Sequence, residues 1–214
     1  MRQENEMLVQ MTVSDFLAEI KSDSAAPGGG SVAALSGALG AALAAMVANL
    51  TLDNAKYEAV HAEVARLRPQ MHELMSKLEH YVDEDTAMFN KVMDAYRLPK
   101  ATDEEKTARS AAIQLALKGA AELPMQVALC CQEALLLSKK MLEIGNTNAA
   151  SDAAVAGRMA NTGMWGAIYN VRINLGSIKD QAFTEDMKSQ IAALIVHAEI
   201  AMQELLNEVE KKIG

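Results

Sequence analysis

Apolar residues recur at intervals of three and four along nearly the whole chain, the spacing of helices that bury one face. Thr12 is placed to cap the amide of Asp15, opening a short helix through Phe16, Leu17 and Ile20 to about Ser22. Ala25-Ala26-Pro27-Gly28-Gly29-Gly30-Ser31 then forces a loop before a central helix. A long third segment, Lys56 to Tyr96, carries apolar or aromatic residues at 60, 64, 67, 71, 74, 78, 82, 89, 92 and 96, with a kink expected at Pro69. Leu98-Pro99-Lys100 ends it. Thr102-Asp103-Glu104-Glu105 is a capping box opening a fourth segment, expected to bend at Pro124 and to stop at Ile144 with Gly145 as its C′ residue. Ser151-Asp152 starts a charge-poor helix to about Gly176, and Thr184 is expected to cap the last one, whose stripe is Ile191, Leu194, Ile195, Ala198, Met202, Leu205 and Val209. No repeat or linker interrupts this series, so residues 1–214 read as a single all-α domain, a bundle of about six helices with long central ones.

The segment between Asp23 and Asp53 lacks charge and is long enough to cross a bilayer. Its larger residues, Leu35, Leu39, Leu43, Met46 and Leu50, form one stripe, while Ala33, Gly37, Ala41, Ala44 and Ala48 form a face small enough for neighbouring helices to approach closely. That division predicts a helix buried in a bundle rather than a membrane span. The small face is also longer than a bundle of this size needs, which predicts a homodimer.

Composition sharpens the picture. Only 8 of 214 residues are aromatic and 4 are proline, which excludes a β-sandwich or barrel. The net charge of −8 is spread among basic residues and leaves no basic patch for nucleic acid. Arg2, Glu4 and Glu6 break up the N-terminus, so no signal h-region is read there and a cytoplasmic location is expected. Cys130 and Cys131 are adjacent, which suits buried reduced thiols better than a zinc site or an ordinary disulfide. Of His61, His72, His80 and His197, only His61 follows a glutamate at the spacing of a di-iron bundle, a pattern such a site needs twice; no metal is expected.

Three irregularities mark candidate chemistry. Extending the stripe 67, 71, 74, 78, 82 by one helical step lands on Asp85, a carboxylate on a core face, held there by a structural ion pair or for function. Asp83 and Glu84 fall beside the stripe. On the charge-poor helix Asp152, Ala156, Ala160, Gly163, Ala167, Asn170 and Asn174 share one face, either an interhelical hydrogen-bond network or a pocket wall, and Asp152 also suits a first-turn acid. Gly28, Gly29, Gly30 and Ser31 at a helix start present converging amides, suited to an anionic ligand group or to a plain flexible connection. A Walker lysine and its spacing are absent, and no histidine is placed to activate Ser31 or either cysteine.

Several of these elements occur together in a recognisable order. Ala26-Pro-Gly-Gly-Gly-Ser-Val32 runs into an Ala/Gly helix ending Met46-Val-Ala-Asn-Leu-Thr51. Val82-Asp-Glu-Asp85 with Phe89, Leu98-Pro-Lys100, Gly145-Asn146, Ser151-Asp152 with Val155-Ala156, and Asn170-Val-Arg-Ile-Asn-Leu175 follow. The whole chain resembles the formiminotransferase-cyclodeaminase C-terminal domain and its stand-alone relatives, the methenyltetrahydrofolate cyclohydrolases.

The resemblance implies an all-helical homodimer that takes a tetrahydrofolate derivative as substrate, with no permanent cofactor expected; the charge pattern and the helix periodicity above leave no nucleic acid or membrane as partner. It implies a buried carboxylate as acid and base, Asp85 first and Asp83 second. Gly28, Gly29, Gly30 and Ser31 would hold the substrate's polar end. Asn146 and Asp152 would bond the pterin or support those that do, Asn170 and Asn174 would line the same cleft, and Lys100 would pair with a glutamate carboxylate. The absence of a preceding transferase domain in the sequence places hydrolysis of 5,10-methenyltetrahydrofolate to 10-formyltetrahydrofolate ahead of formiminotetrahydrofolate cyclodeamination. A non-catalytic bundle that binds folate or a protein partner is the reading of a different class; an acid retained on an apolar stripe argues against it.

Overall fold

A computed structural model describes residues 7–214; Arg2, Glu4 and Glu6 lie outside the described residues. A 3-10 turn at Leu8–Gln10 precedes six α-helices: α1 Val13–Ile20, α2 Gly29–Leu52, α3 His61–Arg97, α4 Asp103–Ile144, α5 Ala150–Leu175 and α6 Gln181–Ile213. Short 3-10 segments, Ala55–Val60 and Thr147–Ala149, lead into α3 and α5. Thr12 caps α1 by accepting from the Asp15 amide, and Thr102 and Glu105 complete the reciprocal capping box of α4. Pro69 and Pro124 sit inside α3 and α4 without dividing them.

Two helix ends differ from expectation. The last helix starts at Asp180, whose carboxylate accepts from the Phe183 amide at 3.1 Å, while Thr184 is buried one turn in and returns its hydroxyl to the Gln181 carbonyl. The acid wins the cap because it also meets the Lys118 ammonium at 2.7 Å. Gly145 ends α4 in extended backbone rather than in the left-handed conformation. Its glycine is required by crowding: a Cβ there would overlap the Met141 carbonyl and press on Val47 and Thr51.

The core is organised around α2, which packs on α3, α4 and α5, while α6 closes over α4 and α5. The small-residue face of α2 points inward, with Ala33, Gly37, Ala41, Ala44 and Ala48 buried. Val32, Leu39, Met46 and Leu50 lie exposed on the other side. Close approach is the reason. A Cβ on Gly40 would come within 2.7 Å of the Ala156 carbonyl, and one on Gly163 within 2.7 Å of the Ala33 carbonyl. The small face is therefore consumed within the chain by α3, α4 and α5 and is not the surface that a second copy would cover. The same interlock settles the face of α5: Ala156, Ala160, Gly163 and Ala167 are buried contacts with neighbouring helices, not a pocket wall. α2 is long and apolar enough to cross a membrane, yet 67% of its most apolar window is buried in the bundle.

On α3 the stripe Val64, Leu67, Met71, Leu74, Leu78 and Val82 is buried as its spacing requires. It ends on Ala95, with Tyr96 exposed. Burying the aliphatic part of this stripe supplies on the order of 1.5–3 kcal/mol per side chain, which holds α3 against α2 with Val82 and Asp85 facing the start of α2.

Candidate active site at the start of α2

The loop before α2 includes a cis Ala26–Pro27 peptide and a buried Pro27, and it delivers Gly28 to the N-cap position. Gly30 and Ser31 follow in the first turn, where amides have no intrahelical partner. The Asp85 carboxylate, projecting from α3, takes one of them: Ser31 N–H donates to Oδ2 at 3.0 Å. The Ser31 hydroxyl donates to the Val82 carbonyl at 2.8 Å, with Asp85 Oδ2 3.3 Å away. The anion at this helix N-terminus is thus the protein's own Asp85. Ser31, wholly buried, positions that carboxylate and offers no free hydroxyl to a ligand.

Gly30 makes the arrangement possible, because a Cβ there would overlap the Asp85 carboxylate. Gly28 has open space around it, and a Cβ on Gly29 would lie 3.6 Å from Asn170 Nδ2. Burial pushes the Asp85 carboxyl above the usual carboxylate range, and the Ser31 amide and hydroxyl pull it back. A carboxyl held by two donors but partly stripped of water is suited to pass a proton in either direction.

Other expected site residues are distributed as follows. Asn170 comes to the cluster, its amide donating to the Gly166 carbonyl at 2.8 Å beside Gly29. Asp83, two residues from Asp85 and on the opposite side of α3, accepts from the amides of Leu8 and Val9 at 2.5 and 3.3 Å. It fastens the N-terminal turn and is spent on that task. Asn174 donates to the Ala120 carbonyl at 2.6 Å, tying α5 to α4. Lys100 is exposed beyond α3.

Asn146 and Asp152 lie at the far end of the molecule. Asn146 caps the 3-10 turn before α5, donates its backbone N–H to Thr51 Oγ1 at 2.9 Å, and donates its side-chain amide to the Leu50 carbonyl. Tyr57 and His61 bond in the same region, to Thr147 and to the Thr51 carbonyl. Asp152 sits in the first turn of α5, 18 residues and about 27 Å of helix from Asn170. Cys131, buried between Gly37 and Gly163, has its thiol pushed far upward by burial and packs as an apolar side chain. Among the described residues, no group of three or more His, Cys, Asp and Glu is placed to hold a metal ion.

Two cavities lie near the start of α2, neither lined by Asp85 itself. A groove of about 320 Å³ between α2 and α5 is lined by Gly29, Val32, Leu35, Leu39, Met159 and Thr162, among others. A second, of about 470 Å³, lies between the loop and α3, lined by Ala25, Ala26, Thr86, Phe89, Asn90, Met93 and Arg97. Apart from Phe89, the α3 residues of that wall escaped the sequence reading. The signal was present: 86, 89, 90, 93 and 97 fall on one helical face beginning beside Asp85.

Comparison with known proteins places the arrangement in context. Over 203 residues the chain is 39% identical to a methenyltetrahydrofolate cyclohydrolase of Methylorubrum extorquens, covering 95% of this chain and 98% of that protein. It is 36% identical to the formimidoyltransferase-cyclodeaminase of Sus scrofa, matching 96% of this chain but 38% of that longer protein. A crystal structure of formiminotetrahydrofolate cyclodeaminase from Thermotoga maritima superposes with a TM-score of 0.85 at 31% identity, over 96% of this chain and 98% of that one. The family description formiminotransferase-cyclodeaminase matches residues 12–193, and with the fold and the order of its motifs in agreement, the chain belongs to the formiminotransferase-cyclodeaminase family.

Proposed function

We propose that this chain hydrolyses 5,10-methenyltetrahydrofolate to 10-formyltetrahydrofolate, with Asp85 as the acid and base. The observation that carries the reading is the partly buried Asp85 carboxylate, held by Ser31 at the start of α2 and next in sequence to Thr86, which lines the cavity between the loop and α3. Water adds to the cationic methenyl carbon between N5 and N10, and Asp85 accepts the proton it loses. The tetrahedral adduct collapses by breaking the carbon–N5 bond, N5 takes a proton back from Asp85, and the net proton of the reaction leaves to solvent. The carboxylate also offsets the cation of the amidinium ground state, so its advantage lies in proton transfer. The likeness over 98% of the Methylorubrum protein supports hydrolysis.

The Thermotoga likeness supports a second reading through the same adduct geometry. There N10 attacks the formimino carbon, the bond to the imino nitrogen breaks, and a proton delivered by Asp85 lets ammonia leave. Supplying each substrate separately and following the methenyl chromophore and ammonia distinguishes them. Faster methenyl loss is expected; faster ammonia release would reassign the chain to cyclodeamination, and no turnover of either would remove the enzyme reading.

A homodimer also belongs to this proposal, on different grounds from the small-residue face. The exposed apolar stripe of α2, with Val155 and Tyr169 on α5, is the kind of continuous surface that another copy covers. An antiparallel pairing about a two-fold axis sets the Asp85 end of one α2 beside the far end of the other, where Asn146 and Asp152 reside.

A further inference from the structure

We infer that the cavity between the loop and α3 takes the p-aminobenzoyl-glutamate half of the substrate, with Arg97 selecting for the glutamate carboxylate and Thr86 bonding the polar linkage nearest the reacting centre. The inference rests on the folate reading above. Along one face of α3, moving away from Asp85, the wall presents a hydroxyl at Thr86, an aromatic ring and an amide at Phe89 and Asn90, a thioether at Met93 and a guanidinium at Arg97. A ligand laid on that face needs a polar group first, then a flat apolar body with an amide, then an anion. The non-pterin half of folate has these in that order.

Two observations tie the wall to a ligand. Thr86 lines the wall and its hydroxyl is buried without a hydrogen-bond partner, a costly state that a turn about χ1 toward a bound polar group relieves. Arg97 engages only the exposed Asp94, at 3.0 Å one turn away, an ion pair that contributes little and leaves the guanidinium free to turn. Arg97 lies 12 residues beyond Asp85, about 18 Å of helix, and helical side chains slant back toward the N-terminus, which shortens the span the ligand must cross. Lys100, expected from the sequence to make this contact, is past the helix end; Arg97 is on the cavity wall. A guanidinium also grips a carboxylate with two parallel bonds, which an ammonium does not.

The test compares tetrahydrofolate with tetrahydropteroate, which lacks the glutamate, by calorimetric binding to the wild-type protein and to Arg97→Gln, Arg97→Lys and Thr86→Val. Wild type should bind tetrahydrofolate the more tightly. Arg97→Gln should weaken tetrahydrofolate roughly tenfold and leave tetrahydropteroate unchanged, with Arg97→Lys intermediate. Thr86→Val should weaken both ligands while holding or raising the melting temperature, since an orphaned buried hydroxyl is removed. An unchanged preference in Arg97→Gln, or equal weakening of the two ligands, overturns the assignment. Binding is read without turnover, so a protein that shows the Arg97-dependent preference yet turns over neither one-carbon substrate fails the catalytic proposal alone.

Discussion

Gly30 and Asp85 occupy the same space to the point that residue 30 has no room for a Cβ. Alanine at a helix start ordinarily gains a few tenths to one kcal/mol over glycine. At residue 30 it must push the carboxylate off the Ser31 amide or pull α2 from α3. Gly30→Ala is expected to lower both the melting temperature and turnover, the latter by at least tenfold. Gly28→Ala, with open space around it, should leave both near wild type. Thermal melts and turnover on the two variants check the contrast, and an active, stable Gly30→Ala would refute it.

Asp85→Asn keeps the shape and the acceptor for the Ser31 amide but removes the titratable proton. Turnover should fall by roughly 10²- to 10⁴-fold. The folded-state pKa of Asp85 is raised by burial, so folding favours its protonated form. The wild-type protein therefore loses stability from this group as pH rises from the ordinary carboxylate range through the raised value. Relative to wild type, Asp85→Asn should melt at the same or higher temperature at pH 7, with the difference shrinking as pH falls toward 4. Unchanged turnover with a lowered melting point at pH 7 would make Asp85 a structural residue.

The helices and the anomalous carboxylate were legible because both are periodic signals: a stripe can be counted, and Asp85 stands where the count requires an apolar side chain. The small face of α2 signals close helix approach in the sequence; what escaped is that helices of the same chain take it up rather than a second copy. Leucine outranks alanine on any hydrophobic scale, yet where α2 crosses α4 and α5 the neighbours come so close that a Cβ on Gly37 or Gly40 would meet Cys131 or the Ala156 backbone. Proximity between elements was likewise out of reach. Asn146 and Asp152 share a sequence neighbourhood with other motif residues but are consumed or stationed at the far end of α2 and α5. Asp83 matched the motif as well as Asp85 did; only the fold reveals that Leu8 and Val9 claim its oxygens.

That division of labour gives Asp83→Ala a signature opposite to that of Asp85. Removing it leaves two backbone amides of the N-terminal turn without their acceptor, at a cost of about 1–3 kcal/mol for a hydrogen bond to a charged group. The melting temperature should drop by several degrees while turnover by the folded fraction stays within about twofold. A hundredfold loss of turnover at unchanged stability would restore Asp83 as a catalytic candidate.

Ser31→Ala separates positioning from catalysis. The amide donor to Asp85 survives, and the hydroxyl that helps hold its carboxyl down is lost. With burial then less opposed, the Asp85 pKa should rise further, and the acid limb of the pH–turnover profile should move to higher pH. Loss of the bond to the Val82 carbonyl should also cost about 1 kcal/mol of stability. A profile identical to wild type, measured from pH 5 to 9, would detach Ser31 from the titration of Asp85.

The apolar stripe of α2 makes the association of two chains testable independently of the chemistry. Leu39 is 47% exposed and Met46 37%, on a face whose outward leucines gain nothing from the monomer core. Light scattering should give twice the chain mass of 23.0 kDa at micromolar concentration. Leu39→Glu places a charge at the centre of the stripe, where an isologous contact repeats it across the axis, so one substitution introduces two facing carboxylates. The variant should run at the monomer mass and keep its helical circular dichroism, because residue 39 has no core partner to lose. If the far end of α2 in one copy completes the Asp85 site of the other, turnover falls with the dimer and returns at high protein concentration. A monomeric Leu39→Glu with full turnover would show that each chain carries a whole site, and a monomeric wild-type protein would remove the dimer altogether.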